Sequence, residues 1–219
     1  MINTLNYKAP HPLIKNESSF ILKLMMTKVV YVILTYFVAS IPFGLIFCKL
    51  FKGVDVRTVG SGNIGATNVF RAAGPLAAFL TALFDISKSF FPVLIAKKYF
   101  ALDFASVVAL SAVVGHCFSI YLKFKGGKGV ATTLGAFFAL TWKGGIIFFG
   151  TWLFVVLMSG FVSLASIIAS LTLPLYFILY HSLTPSIFGL IITLIVIAKH
   201  SSNIKRLIDK EEPKIFKRK

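Results

Sequence analysis

The sequence predicts an all-α fold, a polytopic integral membrane bundle of seven transmembrane helices. Its amino terminus is expected outside and its carboxyl terminus in the cytoplasm. Three observations lead there. Of 219 residues, 57% are hydrophobic and only 14% charged, with a mean hydropathy of +0.87; soluble domains carry about 25% charged residues. The apolar residues gather into seven runs separated by polar breaks. The basic residues, which give a net charge of +16, cluster beside those runs and favour one face.

Residues 1–27 are polar and mixed, and they end in Met25-Met26. They are expected to form a dispensable arm, with the true start possible at those methionines. The membrane domain follows at 28–200, with runs at about 29–51, 75–97, 102–122, 130–142, 145–159, 161–181 and 185–199. Two of these fall short of the roughly 20 residues that a full crossing needs. Taking 130–142 and 145–159 as one bent or re-entrant segment would change the parity of every later loop.

Charge decides for two crossings. With seven spans, one face collects Lys49, Lys52, Arg57, Arg71, Lys123, Lys125, Lys128 and the basic tail at 201–219. The other keeps Lys8, Lys15, Lys23, Lys28, Lys97, Lys98 and Lys143. The richer face is cytoplasmic by the positive-inside rule. Next to apolar spans, this charge serves membrane lipids and anionic small molecules, and nucleic acid is not expected as a partner.

The same face holds polar patches too flexible for lipid. The first, 60–71, sets Gly60, Gly62 and Gly65 around Ser61, Asn63, Thr67 and Asn68, and ends at Arg71. Glycines let successive amides form a concave anion nest, and an arginine grips two phosphate oxygens at once. The second, 123–129, holds Lys125, Gly127 and Lys128. It fails as a nucleotide P-loop, because Leu122 stands at the leading glycine and Gly129 at the hydroxyl position. A glycine-flanked Lys128 still suits a phosphate or an oxyanion. A weaker patch at 159–166 carries Ser163 and Ser166.

His200 ends the last run with Asn203 at i+3 on the same helical face, placed to act as a general base or an orienting donor. His116 reads as a structural hydrogen-bonding group; His11 and His181 fall on the far side. Asp85 and Lys88, at i,i+3 inside a span, are expected to pair, since isolated charges at that depth are costly. With so few interior charges, proton-driven transport is disfavoured. Cys48 and Cys117 read as small apolar residues, and neither a metal-ligand cluster nor a His with Asp five positions on occurs.

In these patches the chain resembles the bacterial membrane acyl-phosphate:glycerol-3-phosphate acyltransferase family. The likeness spans about 28–216: Gly-Ser-Gly-Asn-x-Gly-Ala-Thr-Asn-x-x-Arg at 60–71, Gly-His-x-Phe at 115–118, Lys-Phe-Lys-Gly-Gly-Lys-Gly-Val-Ala-Thr at 123–132, Ser-Leu-x-Ser at 163–166, and His-x-x-Asn-Ile-Lys-Arg-Leu at 200–207 before Glu-Glu-Pro. The resemblance implies a seven-helix enzyme of the bacterial inner membrane that uses no metal or coenzyme and works on the cytoplasmic face. It would move a fatty acyl group from acyl phosphate to the sn-1 hydroxyl of glycerol 3-phosphate, the first step of phospholipid synthesis. Ser61, Arg71 and Lys128 would bind substrate phosphates, Ser163 or Ser166 would contribute, and His200 with Asn203 would position the glycerol. Gly160-Phe161 departs from an Arg-Tyr pair common in the family and leaves that loop without a cation. The competing reading is a membrane transporter of an organic phosphate.

Overall fold

The computed structural model describes residues 12–180 and 182–215. Expectations for residues 1–11, His181 and the last four residues of the tail lie outside this range. Among the described residues all regular structure is helical: α1 (Pro12–Ser40), α2 (Phe43–Lys52), α3 (Ala66–Ala73), α4 (Pro75–Cys117), α5 (Val130–Leu140), α6 (Trp142–Ser159), α7 (Val162–Leu179), α8 (Leu183–Lys199) and α9 (Ser201–Ile208). Short 3-10 turns occupy Val56–Thr58 and Ile120–Leu122.

The boundary expected at residue 27 is not a structural break, for α1 runs straight through it. Phe20, Ile21, Leu22, Met25 and Met26 are exposed on that helix, as a surface meeting lipid requires. The first apolar run is instead interrupted at Ile41-Pro42, because proline lacks the N–H that a continuous helix needs. The shorter α2 then closes on Gly53, whose positive φ of 66° allows a left-handed cap that bonds back to Lys49 O.

The helix α4 contains one non-helical residue, Ala101, at φ 77° and ψ 172°. A straight helix would hold Asp85 and His116 about 46 Å apart, yet Asp85 Oδ1 lies 3.6 Å from His116 Nδ1. The element therefore folds back on itself as two antiparallel arms, 75–100 and 102–117, matching two of the expected apolar runs. Lys97 Nζ reaches across to Leu140 O at 2.7 Å and satisfies a carbonyl at the end of α5.

The two short runs are likewise separate antiparallel helices. Thr141 is extended, and α6 returns with Gly144 against the Phe137 ring and Gly145 against Phe138, where a Cβ would have no room. The rings of Phe137 and Phe148 meet edge-on at 6.4 Å. With 11 residues, α5 is only about 16 Å long, so the polar loop before it descends into the bundle. It packs on the first arm of α4 through Gly135, which faces the Ile86 carbonyl, and through Ser89 Oγ donating to Thr132 O at 2.7 Å. The pair α7 and α8 is tied by Thr193 Oγ1 donating to Ser170 O at 2.7 Å, over a core that includes Phe137, Phe148, Leu173 and Ile192.

By length and composition, four described stretches can cross a membrane: Glu17–Lys52, Pro75–Leu122, Trp142–Ser159 and Val162–Leu179; α8 with α9, bent by 59°, makes a fifth. The Pro75–Leu122 stretch contains both arms of α4. The fold is that of an integral membrane helical protein.

Gly135→Val should push α5 off the first arm of α4. A fall in the detergent unfolding midpoint equivalent to about 1–3 kcal/mol is expected, while Gly150→Ala, where a Cβ meets nothing, should leave it unchanged.

Candidate active site

The first polar patch is organised from within by Asn68. Its buried amide shares Nδ2 among the carbonyls of Val56, Val59 and Asn63 at 3.0, 2.8 and 2.9 Å, and its Oδ1 accepts from Ser61 N at 3.1 Å. Asn68 is thus the loop's internal brace, and its side chain is not free for the substrate contact expected of it. Gly60, at φ 55°, presses against Asn68 Oδ1 so closely that no side chain fits. Gly62 spends its N–H on Val59 O at 3.0 Å. The loop leaves the hydroxyls of Ser61 and Thr67, the Asn63 amide and the Arg71 guanidinium facing a common cavity.

The second patch turns back along the end of α4. Gly126 N donates to Cys117 O at 3.2 Å and Gly127 N to His116 O at 3.1 Å. The N–H groups of both glycines are therefore taken up by the protein itself. Gly127 is buried against the His116 ring, where a Cβ would collide. Lys125 is exposed and stands off the cavity. Lys128, next along, reaches into it.

The third patch supplies a relay. Lys128 Nζ donates to Asn203 Oδ1 at 2.6 Å. Asn203 Nδ2 donates to Glu212 Oε1 at 2.6 Å, and Arg206 Nε donates to Glu212 Oε2 at 2.7 Å. Asn203 sits at i+3 from His200 as the spacing requires, but its partner Glu212 was missed. The available signal was the Glu-Glu-Pro following the motif, in a chain with only 7 acidic residues. Beyond it Ile215 N bonds to Gly160 O at 2.8 Å. Lys214 lies 5.2 Å over the Phe161 ring, so the tail brings a cation to the loop that lacks its own.

These elements enclose a cavity of about 700 Å³. Ser61, Asn63, Thr67, Asn68, Arg71, Lys128, Ser163, Ser166, His200 and Asn203 all line it, as do Arg206 and Glu212; Gly62, Lys125 and Gly127 do not. Its other end is apolar, walled by Leu134, Phe148, Phe149 and Trp152. The Ser166 hydroxyl accepts from Trp152 Nε1 at 3.2 Å and donates to Val162 O at 2.7 Å, so it joins the polar and apolar walls.

Four helices begin at the cavity: α3 at Gly65–Thr67, α5 at Gly129–Ala131, α7 at Val162 and Ser163, and α9 at His200. None of the four has a side-chain N-cap. A helix start carries unsatisfied N–H groups and about half a positive charge, which together attract an anion. The first-turn amides at these starts add to the donor types expected of the glycine loops.

Cations add to this field. Glu212 is neutralised by Arg206, and Asp85, on the cavity wall, by Lys88 at 2.7 Å. Arg71 and Lys128 have no ion pair among the described residues. Burial pulls Lys128 down to about 8, with Glu212 opposing and Arg206 and Arg71 assisting. Burial also takes His200 down to about 4, although the hydrogen bond to Val196 O opposes this. That carbonyl can only accept, so Nδ1 of a neutral His200, 2.8 Å away, carries the proton and leaves Nε2 as an acceptor. Burial would raise the Glu212 carboxyl, but Ser163, Asn203 and Arg206 around it hold it below the usual range.

The sequence profile described as glycerol-3-phosphate acyltransferase matches residues 29–210. The chain belongs to this family. A glycerol-3-phosphate acyltransferase of Endomicrobium trichonymphae is 48% identical over 205 residues, covering 89% of this chain and all of that protein. One from Thermotoga petrophila is 44% identical over 189 residues, covering 85% and 96% respectively. The crystal structure of PlsY, an integral membrane glycerol 3-phosphate acyltransferase, in its glycerol 3-phosphate form has a TM-score of 0.84 at 39% identity, covering 87% of this chain and 96% of that one. Its lysophosphatidic acid form scores 0.82 at 38% identity over the same shares.

For a member of the acyltransferase family, the depressed Lys128 has a measurable consequence. If the ammonium form binds substrate, kcat/KM should fall as pH rises through about 8. An added anion stabilises the ammonium, so kcat at saturation should hold to higher pH. Lys128→Arg should remove the alkaline limb, since guanidinium does not titrate there.

Proposed function

We propose that this protein transfers a fatty acyl group from acyl phosphate to the sn-1 hydroxyl of glycerol 3-phosphate, releasing phosphate and lysophosphatidic acid. One observation carries the reading. A single cavity joins two unpaired cations and four uncapped helix starts to an apolar wall. Two phosphates and one hydrocarbon chain are the complement of that surface. Family membership supports the acyltransferase chemistry, and the relatives' glycerol 3-phosphate and lysophosphatidic acid forms support the acceptor and product. The two cations on the cavity, and chemistry that needs no covalent enzyme intermediate, support acyl phosphate as donor.

The glycerol oxygen attacks the acyl carbonyl, a C–O ester bond forms, and the bond from the carbonyl carbon to the phosphate oxygen breaks. The phosphate is already an activated leaving group, so orientation supplies much of the acceleration, up to about 7–11 kcal/mol at the ideal limit. Lys128 and Arg71 with the helix-start amides stabilise charge on the reacting phosphates. His200 is neutral at physiological pH in the free protein, its Nε2 orients the hydroxyl, and His200 or a substrate phosphate takes the proton. Asn203 fixes Lys128, and Ser61, Asn63, Thr67 and Ser163 add contacts at the phosphates.

The two arms of α4, the α1–α2 pair, α5, α6, α7 and α8 make seven crossings in this reading. The carboxyl terminus and the cavity face the cytoplasm, the amino terminus lies outside, and the enzyme resides in the bacterial inner membrane. A transporter of an organic phosphate finds less support, since the interior charges Asp85 and Lys88 are locked to each other.

Purified protein given acyl phosphate and radiolabelled glycerol 3-phosphate should form lysophosphatidate, and acyl-CoA should not replace the donor. Arg71→Ala and Lys128→Ala should each lose about 100-fold or more, the scale of roughly two charge-assisted hydrogen bonds, while inserting normally. Wild-type turnover in both would remove the assignment. His200→Ala should be impaired but retain measurable turnover.

A further inference from the structure

On the wall of the same cavity, beside the two loops that carry Arg71 and Lys128, lies a buried charge cluster to which the mechanism assigns no step. Lys88, Asp85 and His116 are each no more than 5% exposed. Lys88 Nζ is 2.7 Å from Asp85 Oδ1 and donates to Ile41 O at 3.0 Å. The same Asp85 oxygen lies 3.6 Å from His116 Nδ1, a nitrogen without a hydrogen-bond partner. Three ionisable groups at this depth are costly, and helix packing alone would be served as well by apolar side chains.

The ends of the cluster show where it acts. Ile41 lies in the break between α1 and α2, and Lys88 also sits 5.7 Å over the ring of Phe43, the first residue of α2. The helix α2 backs the first loop, with Gly44 against the Ile64 carbonyl. At the opposite end, the His116 ring lies on Gly127 and its carbonyl accepts the Gly127 N–H at 3.1 Å, one residue before Lys128. Asp85 stands between these two connections.

We infer that Lys88, Asp85 and His116 are positioning residues that set the separation between the Arg71 loop and the Lys128 loop, and so the distance between the two phosphate subsites. The substrates' relative placement is then fixed from the cavity wall. The kinetic arm of its test rests on the acyltransferase reading; the distance arm does not.

The node and its two branches should differ. Asp85→Asn should raise KM for both substrates and lower kcat/KM, the latter by about 10- to 100-fold if the loops shift by around 1 Å. Lys88→Met should raise KM mainly for one substrate, and His116→Gln mainly for the other. Spin labels at Phe70→Cys and Lys125→Cys, both exposed positions, report the loop separation, because Cys48 and Cys117 are buried. Their distance distribution should broaden or shift in Asp85→Asn. The doubly neutral Asp85→Asn/Lys88→Met leaves no unpaired charge from the ion pair, so it should fold, yet keep the raised KM values and the altered distances. Folded variants with wild-type KM and wild-type distances would overturn the proposal, as would a loss of kcat alone at unchanged distances. A doubly neutral variant that fails to insert would assign the charges to folding and overturn it equally. An inactive wild type would instead remove the proposed function, and the label distances would still decide this inference.

Discussion

The structure depends on where unsatisfied backbone donors are allowed to be. Inside a bilayer every N–H must find a partner in the protein, unless it lines a cavity. The helices α2 to α9 all start without a side-chain cap, and four of those starts, of α3, α5, α7 and α9, line the same 700 Å³ space. Capping them individually would satisfy the fold and abolish the anion field. Where such starts line a cavity, their amides and dipoles favour a negatively charged ligand.

Charge distribution follows the same logic. Each carboxylate near the cavity has a cation beside it, Glu212 with Arg206 and Asp85 with Lys88, so neither cancels the field from Arg71 and Lys128. Asn203 offers Lys128 a neutral oxygen, and Glu212 orients that amide from behind. A carboxylate in direct contact with Lys128 would compete with substrate; an amide does not. Burial lowers the proton affinity of both Lys128 and His200, which suits one for binding that responds to phosphate and the other for accepting a hydrogen bond without charging.

Much of the site was legible in the residues. Ser61, Asn63, Thr67, Arg71, Lys128, Ser163, Ser166, His200 and Asn203 were grouped by patch and by face, and they share one cavity. Other features were not legible. Asn68 also lines the cavity, but its amide donors, like the Gly127 N–H, are taken up by carbonyls of Val56, Val59, Asn63 and His116. Glu212 sits in a tail that looked merely basic. Which polar group is free and which is internally satisfied depends on contacts between segments distant in the chain, and residue type does not report it.

Hydropathy and charge asymmetry alone determined the solvent this protein folds in and the segments that must come together, because transfer of apolar surface and of lysine into lipid differ in sign whatever the fold. Even the reversal near residue 101 and the separation of the two short helices were visible as gaps between apolar runs. Tertiary structure alone decided how deep the second loop sinks, which amides remain open, and how Asp85 comes to face His116 across a hairpin. Those outcomes are set by packing at single glycines such as Gly126 and Gly135, where the absence of one carbon lets two backbones touch, and that closeness exists only once the helices have met.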